Sequence, residues 1–163
     1  MLKKLLFQGD EFNLQVIEDN GKYTKVSFKG ENIFVRVNQN IPIGARGEEI
    51  RKKIGQFYRR MARETILERL EYFKTRLGVK YAQVRIKEQK TRWGSCSGKG
   101  NLNFNWKLVM APSDIIDYVV VHELCHLIHM NHSRNFWNLV ERELPDYRAR
   151  KRWLRDHGAA LRL

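Results

Sequence analysis

From Ile115 to Ile128 every residue is apolar except Asp117, His122, Glu123 and His126. A segment of this length with apolar side chains on nearly every face reads as a helix surrounded by the rest of the molecule. The run Ala111-Pro-Ser-Asp114 supplies its entry, with Ser113 as the expected N-cap. Whatever fold the chain adopts is built around this helix. It must also satisfy the polar groups carried inward, because a buried group left without a partner costs roughly 1–3 kcal/mol.

Those polar groups follow a pattern. Four of the five histidines fall between positions 122 and 132, and His122-Glu-x-x-His126 is the zincin signature. Residues four apart share a helix face about 6 Å apart along the axis, close enough for two imidazoles to hold one zinc ion. Glu123 is rotated by about 100° from His122, which places a carboxylate beside the ion without making it a ligand. The third ligand is read as His132, at the metzincin spacing. His129 is the competitor, but on a continuing helix it would lie about 10 Å from His122. The helix must therefore stop near Ile128, with Asn131, a residue tolerant of left-handed backbone, serving the turn in place of the glycine metzincins carry at the His129 position. Other readings of the cluster are core histidines bonded to carbonyls and a closed structural zinc, although such sites are usually rich in cysteine. Cys125 faces elsewhere on the helix and reads as small core filler; Cys96 has no Cys-x-x-Cys partner. Tyr118, Asn105 and the Trp93-Gly-Ser95 segment are candidate oxyanion stabilisers.

The remainder reads as α+β. Phe12–Ile17, Lys22–Phe28 and Ile33–Val37 alternate apolar and polar residues. Asn20-Gly21 is a strong hairpin signal, and a second turn falls at Gly30-Glu-Asn32, so a three-stranded N-terminal β-meander is expected. Pro42, Gly44 and Gly47 mark residues 38–47 as a loop. Ile54, Tyr58, Ala62, Ile66, Leu70, Phe73 and Leu77 then recur at helical spacing. They predict a helix from Glu48 to Leu77, stopped by Gly78 and weakened or kinked at Gly55. Strands are expected at Ala82–Lys87 and Leu102–Leu108, a helix capped by Ser133 and ending near Leu144, and a last helix from Pro145 and Asp146 to Gly158. The organisation expected is an N-terminal meander and loop over residues 1–47 and a metal-binding domain over residues 48–163, closed into one unit.

Charge bears on partners. The 163 residues hold 31 Lys and Arg against 18 Asp and Glu, a formal +13. Residues 46–100 alone hold sixteen cations and six acids. Nucleic acid or a nucleotide held along helix 48–77 is one expectation; a solvated basic surface is the other. No apolar run reaches the length of a membrane span, the apolar patch in the first residues is too short for a signal-peptide core, and two distant cysteines make no disulfide framework. A cytoplasmic protein is expected.

The segments Thr91–Cys96, Leu102–Leu108, Ala111-Pro112, Asp117–His126, Asn131–Ser133, Phe136-Trp137, Leu144–Tyr147 and Trp153-Leu154 together resemble the YgjP-like metallopeptidase family, which is similar to the SprT-like and Wss1-like zinc proteases. The resemblance spans about residues 84–155. It implies a minigluzincin-like domain, a small mixed sheet packed with helices. It also implies one zinc ion on His122, His126 and His132, Glu123 as the catalytic residue, and a protein or peptide substrate. The alternatives are a metal-dependent hydrolase of nucleotide phosphoanhydrides, a protease acting on proteins held near DNA, and a non-enzymatic nucleic-acid-binding module. A strand of the 91–108 unit is a candidate edge for an extended substrate.

Overall fold

A computed structural model describes residues 4–163; Met1, Leu2 and Lys3 of the expected apolar start lie outside them. Four strands, β1 (Lys4–Phe7), β2 (Asp10–Asp19), β3 (Lys25–Lys29) and β4 (Asn32–Asn38), form an N-terminal sheet in the order β1-β2-β4-β3. This is not the expected meander. β4 pairs parallel to β2, with Leu14 opposite Ile33 and Val16 opposite Val35, and antiparallel to β3, with Val26 opposite Val35. Gly30 and Glu31 do make a tight turn, Gly30 at φ +60°. Asn20-Gly21 instead carries the chain from β2 across to the far edge, and Gly21 N–H donates to Asp19 Oδ1. The cause is burial. Ile33, Val35 and Val37 are at most 1% exposed, whereas β3 alternates exposed and half-buried residues, so the most apolar strand takes the place between β2 and β3 and β3 goes to the edge.

α1 runs from Ile43 to Leu77. It starts five residues ahead of the expected Glu48, on Pro42, absorbs the expected 38–47 loop from Ile43 onward, and passes through Gly55 as one helix. Its apolar stripe is buried as the spacing predicts, from Ile54 to Leu77, and Gly78 closes it in the left-handed conformation. The upper part of this stripe meets the N-terminal sheet through a ring cluster of Phe7, Phe12, Phe28 and Phe57, with neighbouring centroids 4.9–6.2 Å apart. The lower part packs against α2 (Ser113–Cys125) and β5 (Gln83–Lys87).

A second, mixed sheet has the order β5-β7-β6. β7 (Asn101–Asn105) is parallel to β5 and antiparallel to β6 (Gly94–Cys96). The expected strand to Leu108 turns at Trp106 into a short 3-10 helix ending at Met110. Pro112, not Ser113, occupies the N-cap of α2. α3 (Arg134–Glu143) and α4 (Tyr147–His157) complete the layer of helices. As expected, the Ser133 hydroxyl caps α3 by accepting from Phe136 N–H at 3.3 Å. α2 is packed by α1, α3, α4 and β6. The fold is thus α+β, with its most apolar helix in the middle. No helix among the described residues is long and apolar enough to cross a membrane.

Candidate metal centre

The last turn of α2 brings up His122 and Glu123, and His126 follows at the C-cap, still in helical conformation. The winding then tightens. Leu127 N–H reaches Leu124 O, and Ile128 N–H reaches Cys125 O, before the chain is released. The path from His129 to Ser133 folds back so that His132 returns over the helix end. The return does not use left-handed backbone at Asn131; among the described residues Gln8 is the only non-glycine residue at positive φ.

The three rings converge through their Nε2 atoms, His126 to His132 at 3.1 Å and His132 to His122 at 3.2 Å. These three residues are the one group of potential metal ligands that comes together among the described residues. His129 contributes no ring atom. Its backbone carbonyl accepts from His126 Nδ1 at 3.0 Å, and the Glu123 Oε1 atom accepts from His122 Nδ1 at 3.2 Å. A carbonyl can only accept, and a carboxylate oxygen accepts when ionised, so both contacts favour the tautomer with the proton on Nδ1, which turns the Nε2 lone pair to the centre. Burial, and then the neighbouring imidazoles of His122 and His126, hold His132 below its ordinary pKa. Facing lone pairs need a cation. Two nitrogens bound at 2.0–2.1 Å to one tetrahedral ion lie roughly 3.3–3.4 Å apart, close to the separations found. The donor set therefore fits a divalent metal with three protein ligands and an open position.

Aromatic rings hold the imidazoles in place. Phe136 stacks on His126 at 4.4 Å and 23°, and Trp137 lies against His132 at 5.8 Å and 24°. Both rings come from α3, which the histidine spacing does not reveal. Glu123 is 5% exposed, walled in by β6: a Cβ on Gly94 would stand 2.9 Å from Glu123 Cγ and 3.2 Å from Val119 Cγ1. Gly94 is thus a residue of the site that no local spacing announces, since it is far along the chain from Glu123.

The sequence candidates for oxyanion stabilisation fare differently. Asn105 is fully committed: its amide donates to the carbonyls of Gln89 and Arg92, and its oxygen accepts from Lys107 N–H. It braces the loop leading into β6. Ser95 Oγ accepts from Asn103. Tyr118 packs edge-on to His122 at 5.9 Å, buried, with its phenol pKa raised by that burial. Neither cysteine joins the cluster; burial pushes the Cys96 thiol up to about 11 and the Cys125 thiol to about 12. On α1, Arg59, Arg69, Lys74 and Arg76 are tied to Glu88, Asp117, Glu71 and Glu143, so part of its cationic surface is already paired.

The sequence profile of the family described as YgjP-like, metallopeptidase domain, matches residues 2–157. Among solved structures, the metallopeptidase zymogen abylysin of Pyrococcus abyssi is similar, with 29% identity and a TM-score of 0.51, over 60% of this chain and 96% of that one. The zymogen jannalysin of Methanocaldococcus jannaschii is similar at 24% identity and a TM-score of 0.43, over 47% of this chain and 79% of that one. No curated protein gives a significant match.

Proposed function

Because the chain belongs to the YgjP-like metallopeptidase family, we propose that His122, His126 and His132 hold one zinc ion and that Glu123 is the general base of peptide-bond hydrolysis. The observation that carries the reading is the meeting of three imidazoles, His132 Nε2 at 3.1 Å from His126 Nε2 and 3.2 Å from His122 Nε2, beside a buried carboxylate. Held by these three residues, a zinc ion would supply Lewis acidity toward a substrate carbonyl and an attacking water, whose pKa it would lower toward 7. Glu123 takes the proton from that water and returns it to the departing amine. Its other contact, the His122 Nδ1–H, keeps one carboxylate oxygen fixed. The His129 carbonyl and Phe136 hold the His126 ring, and Trp137 that of His132, so little reorganisation is needed when substrate arrives. β6 is an edge strand of its sheet and lies against α2 at Glu123. It supports binding of an extended peptide by strand addition, with the scissile bond delivered to the histidines.

Metal analysis tests the ligand set. One zinc per chain is expected in the wild type, retained in His129→Ala and lost in His132→Ala. Glu123→Gln is expected to keep the metal and to lower peptide cleavage by about 10²–10⁴-fold. Loss of zinc with His129 and not with His132, or undiminished turnover in Glu123→Gln, would overturn the assignment. Release of phosphate or pyrophosphate from nucleoside triphosphates, dependent on Glu123, would move the substrate to a phosphoanhydride.

A further inference from the structure

A second feature lies beside the histidines, and hydrolysis leaves it unused. Trp137 and Tyr147 stack at 5.3 Å and 17° where α4 meets α3. Trp137 is the same ring that lies against His132. Lys151 Nζ stands 4.5 Å from the Trp137 centroid, and Arg148 Cζ stands 4.9 Å from the Tyr147 centroid. An open cavity of about 480 Å³ is lined by these four residues together with Arg152 and Arg155. Its lining contains four cations and no acid.

The four cations are spaced 148, 151, 152 and 155, which puts them on one face of α4. Like charges at this spacing repel one another. Arg148 has Glu141 at 3.9 Å and Arg155 has Asp156 at 3.1 Å. Among the described residues, Lys151 and Arg152 have no carboxylate within 4.0 Å. Lys151 and Arg148 are nevertheless placed, because the faces of Trp137 and Tyr147 attract them. By way of Trp137, Lys151 lies within about 10 Å of the His132 ring, roughly three residues of an extended peptide. A cationic cradle at that reach, with an aromatic floor and spare positive charge, is complementary to a carboxylate.

We propose that Lys151, with Arg148 and Arg152, is a subsite for a carboxylate of the peptide substrate, so that the enzyme selects an acidic group within about three residues of the bond it cuts. The proposal rests on the peptidase reading above. The carboxylate is that of an Asp or Glu side chain or of the peptide's own C-terminus.

Matched peptides distinguish these sources. The full chain, loaded with zinc, is given peptides that differ only in Glu or Lys at each of three positions on either side of the cleaved bond, with free or amidated C-termini. The ratio of kcat/KM for each pair is read. The wild type is expected to favour Glu at one position, or the free over the amidated terminus, by tenfold or more, with the preference shrinking as salt is added. Arg148→Glu with Lys151→Glu is expected to drive that ratio below one. The milder Lys151→Gln, at an exposed site, is expected to lower it part way. Lys25→Glu, a like charge change on β3, is expected to leave it alone. Cleavage with no charge preference, or a preference that the double reversal does not move, overturns the subsite and leaves the peptidase standing. No cleavage of any peptide by the zinc-loaded wild type overturns both. Retained peptide preference in the double variant, with loss of single-stranded oligonucleotide binding, reassigns the cradle to nucleic acid.

Discussion

At the scale of single residues, the site depends on an absent side chain as much as on those present. Gly94 leaves room for Glu123, and a methyl group there would meet Cγ at 2.9 Å and Oε1 at 3.1 Å. Glu123 is buried and tied to His122, so it has no free direction in which to move. Gly94→Ala is therefore expected to retain one metal per chain but to lose about tenfold to a hundredfold in kcat/KM, since a displacement near 1 Å can cost 10²-fold. Crowding should also lower stability by about 1–3 kcal/mol. Metal analysis, peptide kinetics and denaturant unfolding of the same preparation check this, and full activity would count against the role proposed for Glu123 in this position. His129 teaches a related lesson. Its ring was the rival ligand by spacing, yet its contribution is a backbone carbonyl, a role any residue type can fill and residue identity cannot signal.

Among the elements, α1 carries the clearest unforced cost. Gly55 lies within a continuous helix, at negative φ, and a Cβ there would meet nothing within 4 Å. Gly55→Ala is expected to raise stability by about 0.5–1 kcal/mol through the lost freedom of the unfolded chain, with activity unchanged. A denaturant midpoint that fails to rise would mean that glycine is needed for a bend in α1. The same helix shows what sequence could and could not disclose. Its buried stripe from Ile54 to Leu77 was legible because periodicity within one helix is local. So was the convergence of His122, His126 and His132, which spacing on one helix and one turn nearly determines. The order of the N-terminal strands was not. Asn20-Gly21 marks a reversal, but which strand sits inside is decided by the burial of Ile33, Val35 and Val37 against α1, a contest between segments far apart in the chain. Trp93–Ser95 is a candidate for another role by sequence and Phe136-Trp137 carries part of the family resemblance, but what Gly94 does for Glu123 and what Phe136 and Trp137 do for the histidines is tertiary and was not legible for the same reason.

Taken whole, the molecule joins its N-terminal sheet to the helix that bears the site by more than α1. α1 holds the sheet in part through Tyr58, whose Oη donates to Leu6 O at 2.6 Å; the further link does not pass through α1. The β1–β2 turn, with Gln8 and Gly9 at positive φ, donates from Gln8 N–H to Val109 O at 2.8 Å and from Gly9 N–H to Met110 O at 3.0 Å. These carbonyls belong to the segment that leads directly into α2. Gly9 also lies so close to Pro112, the N-cap of α2, that a Cβ would stand 3.0 Å from its ring. Residues 4–47 and 48–163 are therefore expected to unfold as one unit, which two separate probes can decide. All four tryptophans, at 93, 106, 137 and 153, report on the second part, and amide exchange of Ile33–Val37 reports on the first. The two should share one free energy of opening. Gly9→Ala, strained at φ +87°, should lower both by an equal amount of about 1–2 kcal/mol. Were β4 amides to exchange at a lower free energy than the tryptophan transition, or Gly9→Ala to loosen the sheet alone, the N-terminal sheet would be a separate module resting on the helices that carry and flank the histidines. With one transition, a substitution at a turn remote from the histidines would change the temperature at which the metal centre is lost, because the turn holds the entry of the helix that carries it.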